Sequence, residues 1–112
     1  MIKHISIIHR PTGMTREEHV DYWLNVHAPL VRRSLPGMRK YVVNIAVNPE
    51  NNGEPTIDGV AETHFDSMQS LLVARSSPIW LTEERKASSN KVIDYSRVQG
   101  YYLEEHIIPL EE

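Results

Sequence analysis

Residues 38–47, MRKYVVNIAV, constrain the fold more than any other stretch, because they alternate like a strand yet offer water no clean polar face. Tyr41, Val43, Ile45 and Val47 share one side; Lys40, Val42, Asn44 and Ala46 share the other. A strand of this kind is covered on both sides. The flanking sequence says what can cover it. Residues 2–8 (IKHISII) read as a first strand, bounded by a turn containing Pro11 and Gly13. Thr15 and Glu18 then make a capping-box pattern, and Glu17 and Glu18 suit the positive end of a helix dipole. Val20, Trp23, His27 and Leu30 or Val31 recur at helical spacing, with Arg16, Glu17, Asp21 and Asn25 elsewhere on the wheel. Pro29 has no N–H to give the Asn25 carbonyl, which predicts a kink or restart near Ala28. Pro36-Gly37 is the predicted stop.

Beyond the second strand, NPENNGEPTIDG is a loop dense in turn formers. Residues 59–65 (GVAETHF) read as a third strand, and Asp66-Ser67 cap a short helix, MQSLLVAR. Ser77-Pro78, in cap-then-proline order, start another, IWLTEERKA. A last strand is predicted over roughly 93–103, followed by an exposed tail, EEHIIPLEE. The order β-α-β-β-α-β is the ferredoxin-like α+β unit, with its helices on one face of an antiparallel sheet. Helices cover only that face. The apolar second face therefore predicts a symmetric homodimer, sheet against sheet, forming a dimeric α+β barrel.

At 112 residues the chain reads as a single domain, 1–112, with one modest core. A net charge of −3 argues against a nucleic-acid partner. The absence of cysteine removes disulfides, thiolate nucleophiles and Cys-based metal sites. No apolar run approaches membrane-spanning length and the N-terminus lacks a signal-type apolar region, so the expectation is a cytoplasmic protein with no membrane partner. Six histidines invite a metal, but none falls in an HxH, HxxxH or HExxH pattern. His4 and His9 would point to opposite faces of a strand, and His19 and His27 would lie about 80° apart on a helix wheel. No Gly-rich phosphate loop, GxSxG or Ser/His/Asp pattern is visible either. The expectation is neither metal nor cofactor.

His27, on the apolar face of its helix, has two readings. It is a core histidine bonded to a carbonyl, such as the one Pro29 frees at Asn25, or a general acid/base in an apolar pocket. Tyr41 either fills the core or supplies a phenol to an enolate oxygen. Thr63 and His64 point to opposite faces, so only one of them can share a pocket with Tyr41. Asn44 points away from Tyr41, toward the dimer face. Trp80 packs under the second helix or walls a cavity for a flat substrate. Arg32, Arg33, Arg39 and Lys40 bracket the Pro-Gly turn, either as solvated cations at a helix end or as attractors of a carboxylate-bearing substrate.

The GMT-x-EE helix start, HAPLVRR, and PG-x-x-KY leading into a strand resemble the EthD family of dimeric α+β-barrel proteins. Residues 10–44 carry most of the likeness, and the later half adds element order and the ETHFDS stretch. Within that circle, 4-methylmuconolactone methylisomerase is similar through the helix histidine and the proline-glycine-to-tyrosine spacing. The resemblance implies a cofactor-free enzyme that transfers a proton on a small cyclic or aromatic catabolic intermediate. His27 would move the proton and Tyr41 hold the oxygen, with Trp23, Thr63, Trp80 and Arg39 binding substrate. Thr63 falls where that isomerase has a cysteine, which separates this chain from its thiol chemistry. Two other roles go with the fold: a non-catalytic binding or accessory protein of a degradation pathway, and a cofactor-free monooxygenase acting on a phenolic or polyketide-like substrate. Haem binding is a further one, since the broader fold hosts it.

Overall fold

The computed structural model describes residues 1–50 and 53–111; Asn51 and Asn52 of the turn-rich loop and Glu112 of the tail lie outside the described residues. The elements run β1 (Ile2–Ile8), α1 (Arg16–Tyr22), a π-turn (Trp23–His27), α2 (Ala28–Arg32), β2 (Lys40–Ile45), β3 (Gly59–Phe65), α3 (Met68–Arg75), α4 (Glu83–Val92) and β4 (Gln99–Glu104). All strand pairs are antiparallel, in the spatial order β2-β3-β1-β4. This is the ferredoxin-like α+β fold that the element order predicts.

The first helix starts as its sequence dictates. The Thr15 side chain accepts the Glu18 N–H, and the Glu18 carboxylate accepts the Thr15 N–H. The break expected at Pro29 takes the form of a π-turn, in which the Ala28 N–H reaches back to the Trp23 carbonyl. One extra residue in the turn ahead of the proline shifts the bonding register at the point where Pro29 has no N–H to give. The helical path continues, and the widened turn buries Trp23 and His27 at its two ends while Leu24, Asn25 and Val26 face solvent. The helix stops at Arg32, earlier than the Pro36-Gly37 signal suggests. The Ser34 hydroxyl and N–H there donate to the Leu30 and Val31 carbonyls. Gly37, at φ +81°, then carries the turn into β2.

Four other boundaries move. Ser77-Pro78 opens only a single turn, in which Trp80 and Leu81 donate to the Ser77 carbonyl. The helix itself starts at Thr82, whose side chain accepts the Arg85 N–H, and runs to Val92. The last strand begins at Gln99 rather than near 93. Asp94 donates to the His9 carbonyl, and its carboxylate accepts the Ser96 N–H and hydroxyl, which closes a turn. β2 is shorter than 38–47, and the exposed tail begins at His106, because Glu104 is in β4 and the Glu105 N–H bonds the Met1 carbonyl. Among the described residues no helix is long and apolar enough to cross a membrane.

The helices and the sheet enclose two apolar clusters. Val31, Leu35, Phe65, Leu71 and Ala74 form one, with Tyr41 and Trp80 against it; Ile8, Trp23 and Val92 form the other, with Val43, Ile45 and Ala61 against it. The Trp23 ring fits only because residue 59 is glycine: a Cβ there would lie 2.7 Å from the indole and closer still to the Asn44 carbonyl. The opposite sheet face carries Ile5, Ile7, Val42 and Val60; Ile7 pairs with Val60, while Ile5 and Val42 flank Glu62.

Candidate active site

A cavity of about 440 Å³ lies between the sheet and the helices, lined by members of both apolar clusters. The sheet contributes His4 and Ser6 from β1, Tyr41 from β2, and Thr63 from β3. Tyr41 and Thr63 are direct cross-strand partners. From the helical layer come Trp23, His27, Arg75, Trp80, Arg85 and Ser89. Of the residues singled out from sequence, His27, Tyr41, Trp23, Thr63 and Trp80 are thus brought together. Arg39 is not. It precedes β2, is exposed, and lies 3.4 Å from the carboxylate of Asp66, so it forms a surface ion pair outside the cavity.

His27 is 5% exposed. Its Nδ1 lies 2.8 Å from the Ser88 hydroxyl, which lies 3.0 Å from the Tyr22 hydroxyl. The ring is therefore anchored to α4, not to the Asn25 carbonyl. Burial first, and then the positive charge of Arg85, pull its pKa down to about 4, so the imidazole is neutral near pH 7. Nε2 has no protein partner among the described residues, and in the tautomer whose Nδ1–H donates to Ser88 it carries the lone pair. Burial pushes the Tyr41 phenol up to about 12, against a smaller opposing pull from the Trp23 side chain. Tyr41 is thus a neutral hydrogen-bond donor. The pair has the character of a base and an oxygen holder on one cavity.

Beyond the residues singled out from sequence, the polar side chains of His4, Ser6, Arg75, Arg85, Ser89 and Tyr95 line the cavity. His4 packs its ring 4.9 Å from that of Tyr102, and burial followed by the charge of Arg75 pulls its pKa to about 4. The alternation of β1, which groups His4 with Ser6 and Ile8, is the signal that places it there. Arg85 is 8% exposed; its Nε donates to the Trp80 carbonyl at 2.8 Å and its Nη1 to the Ser89 hydroxyl at 3.1 Å. The Arg85 guanidinium sits 3.8 Å over the Trp80 ring, and that of Arg75 lies 5.9 Å from the same ring. Arg85, Ser88, Ser89 and Val92 recur at helical spacing, but that stripe is legible only once α4 is known to extend past Ala87.

His64 is on the other face of the sheet. With Glu62 and Glu105 it forms a group whose ligand-type atoms lie within 4.8 Å of one another. The Lys3 ammonium lies 3.4 Å from Glu62 and 3.1 Å from Glu105, and supplies that group with positive charge. Asn44, on the same face, donates to the Val60 carbonyl and to Glu62. His19 is spent on structure: its Nε2 lies 2.8 Å from the Val92 carbonyl, tying α1 to the end of α4.

A four-stranded antiparallel sheet in the order β2-β3-β1-β4, with its helices on one face, defines a ferredoxin-like α+β protein. The chain belongs to the EthD family: the EthD domain model matches residues 11–96. No curated protein matches the sequence. Among solved structures, an EthD family protein of Bacillus halodurans is similar at 28% identity and a TM-score of 0.67, over 95% of this chain and 99% of that one. A dimeric ferredoxin-like protein of unknown function from Bacteroides fragilis is similar at 17% identity and a TM-score of 0.62, over 93% and 95%. The hydroxynitrile lyase of Passiflora edulis is similar at 15% identity and a TM-score of 0.64, over 96% of each chain. These last two likenesses concern the fold alone.

Proposed function

We propose that this EthD domain is a cofactor-independent homodimeric enzyme that moves a proton on a small cyclic or aromatic catabolic intermediate, as a lactone isomerase does. One arrangement carries the reading: His27 is fixed through Nδ1 to Ser88, leaving Nε2 unpartnered on the cavity that also holds the neutral Tyr41 phenol. Nε2 takes a proton from the carbon beside a carbonyl, and the C–H electron pair passes into the enolate. The Tyr41 hydroxyl donates to the oxygen where charge builds. The imidazolium then returns its proton to a different carbon, or to the oxygen of an opened lactone, so that nothing is oxidised or reduced. Thr63, paired with Tyr41 across the strands, offers that oxygen a second hydroxyl. Trp23 and Trp80 wall the cavity for a flat ring.

The second copy pairs through the open sheet face, where Ile5, Ile7, Val42 and Val60 need covering. The dimeric state of the similar Bacteroides fragilis protein supports a dimer, and the apolar residues of this face are the reason to place the contact here. A competing role, ligand capture without turnover, is favoured by the low pKa of His27, since an imidazole at about 4 is a weak base.

The two roles separate by proton NMR in D₂O with a panel of lactones and cyclic ketones. The enzyme reading expects wild type to exchange the protons beside the carbonyl, His27→Ala to lose about a hundredfold in rate, and Tyr41→Phe to lose about tenfold. A bound compound whose protons exchange equally fast with wild type and His27→Ala, or not at all, refutes turnover through His27. Oxygen uptake with a phenolic substrate would replace it with the monooxygenase role.

A further inference from the structure

Among the described residues the cavity has no acid in its lining: neither Asp nor Glu walls it. It has two arginines, in a protein whose net charge is −3. Neither Arg75 nor Arg85 forms an ion pair among the described residues; other cations without one, such as Arg32, Arg33, Lys91 and Arg97, are exposed, whereas Arg85 is buried. A guanidinium as buried as that of Arg85 is costly to hold without a counter-ion, and a like charge sharing the same indole adds to the cost. Such an arrangement is retained where the missing charge arrives with a ligand.

We propose that Arg75 and Arg85, gathered on the Trp80 ring, form an anion subsite that receives the carboxylate of a small cyclic substrate. The proposal rests on the cavity being the substrate site and adds the class of molecule that enters it. Arg85 is held in advance: Nε and Nη1 are fixed by the Trp80 carbonyl and the Ser89 hydroxyl, leaving Nη2 with no protein partner among the described residues. A planar fork whose position is set beforehand loses little freedom on meeting a planar carboxylate. Trp80 beside it offers a flat apolar wall to the ring that bears the carboxylate. About 440 Å³ holds one ring with short substituents, at the small end of ligand pockets.

This subsite also bears on His27. The positive charge of Arg85 helps keep that imidazole unprotonated in the empty protein. A carboxylate seated on Arg85 offsets this charge and raises the proton affinity of His27 as the substrate arrives. The base is therefore stronger with ligand than without it, by the part of the shift that Arg85 contributes; burial, the larger cause, stays in place.

Calorimetric titration with benzoate and with its neutral analogue benzamide at pH 7.5 tests the subsite. Wild type is expected to bind benzoate at least about tenfold more tightly than benzamide. Arg75→Gln and Arg85→Gln should each lose most of that preference, Arg85→Lys should keep part of it, and Arg39→Gln should keep all of it. Arg75 donates no hydrogen bond within the described residues, so its variant answers even if Arg85→Gln fails to fold. Equal binding of the two probes to wild type, binding of neither, or a preference that survives both glutamine variants overturns the proposal. His27→Ala should still prefer benzoate. Benzoate selectivity without proton exchange by wild type would remove the catalytic reading and leave the subsite standing; exchange without selectivity would do the reverse.

Discussion

His27 gives the sharpest physical test, because its neutrality is built into the fold. An unfolded chain protonates this residue near its ordinary value of 6.5, whereas the folded protein resists until about pH 4. Between those values the unfolded state binds the extra proton, so the stability linked to His27 is complete above about 6.5 and is lost as pH falls toward 4. At 1.36 kcal/mol per pH unit, that interval is worth about 3 kcal/mol, of which about 2 kcal/mol should be gone by pH 4.5. His27→Gln removes the titrating group while keeping a donor for Ser88. Urea unfolding of both proteins at pH 7.5 and 4.5 isolates the effect, since His4 titrates in each and drops out of the difference. Wild type should lose about 2 kcal/mol more than the variant on acidification. The His27 ring nitrogens, followed by NMR, should titrate well below 6.5. Equal losses in the two proteins, or a ring that titrates at its ordinary value, would refute both the desolvation of His27 and the influence assigned to Arg85.

Gly59→Ala should cost about 3 kcal/mol in urea unfolding, because the new methyl group must displace the Trp23 indole or the Asn44 carbonyl; a cost under about 0.5 kcal/mol would show that the packing relaxes freely. Ser88→Ala leaves the buried Nδ1 of His27 without a partner and should cost about 1–3 kcal/mol. ¹⁵N NMR should show a single His27 ring tautomer in wild type and a mixture in the variant, an effect that a purely steric role for Ser88 would not produce. Ile7→Glu places a charge in the middle of the open sheet face, and light scattering should show wild type at twice the monomer mass and the variant at the monomer mass; an unchanged dimer would place the interface elsewhere.

How much of this was legible beforehand depended on the range of the interactions involved. The capping box at Thr15, the alternation of β1 to β3 and the interruption at Pro29 are set by neighbours a few residues apart, and the sequence displays them. The form of that interruption is not set so locally. A π-turn is tolerable here because it sets Trp23 against Gly59 and His27 against Ser88, contacts that span 36 and 61 residues of chain. The start of α4 was misplaced for a similar reason. Ser77-Pro78 is a sound helix-start signal, yet Arg85 holds the Trp80 carbonyl with its side chain, and the helix begins after that turn instead of at it. The same misplacement hid the site. Ended at Ala87, the helix shows no reason for an arginine to face inward; extended to Val92, it shows Arg85, Ser88, Ser89 and Val92 on one buried stripe. Arg39 lies beside the recognisable Pro-Gly turn, whereas Arg85 lies beside no motif. Closeness in sequence to a motif proved a weaker guide than the unmet charge of a buried cation, which can be read only from three-dimensional structure. The two faces of the sheet then divide the work. On the open face, Lys3 pairs with Glu62 and Glu105 within the chain, while on the helical face the positive charge is left for something outside the chain to neutralise.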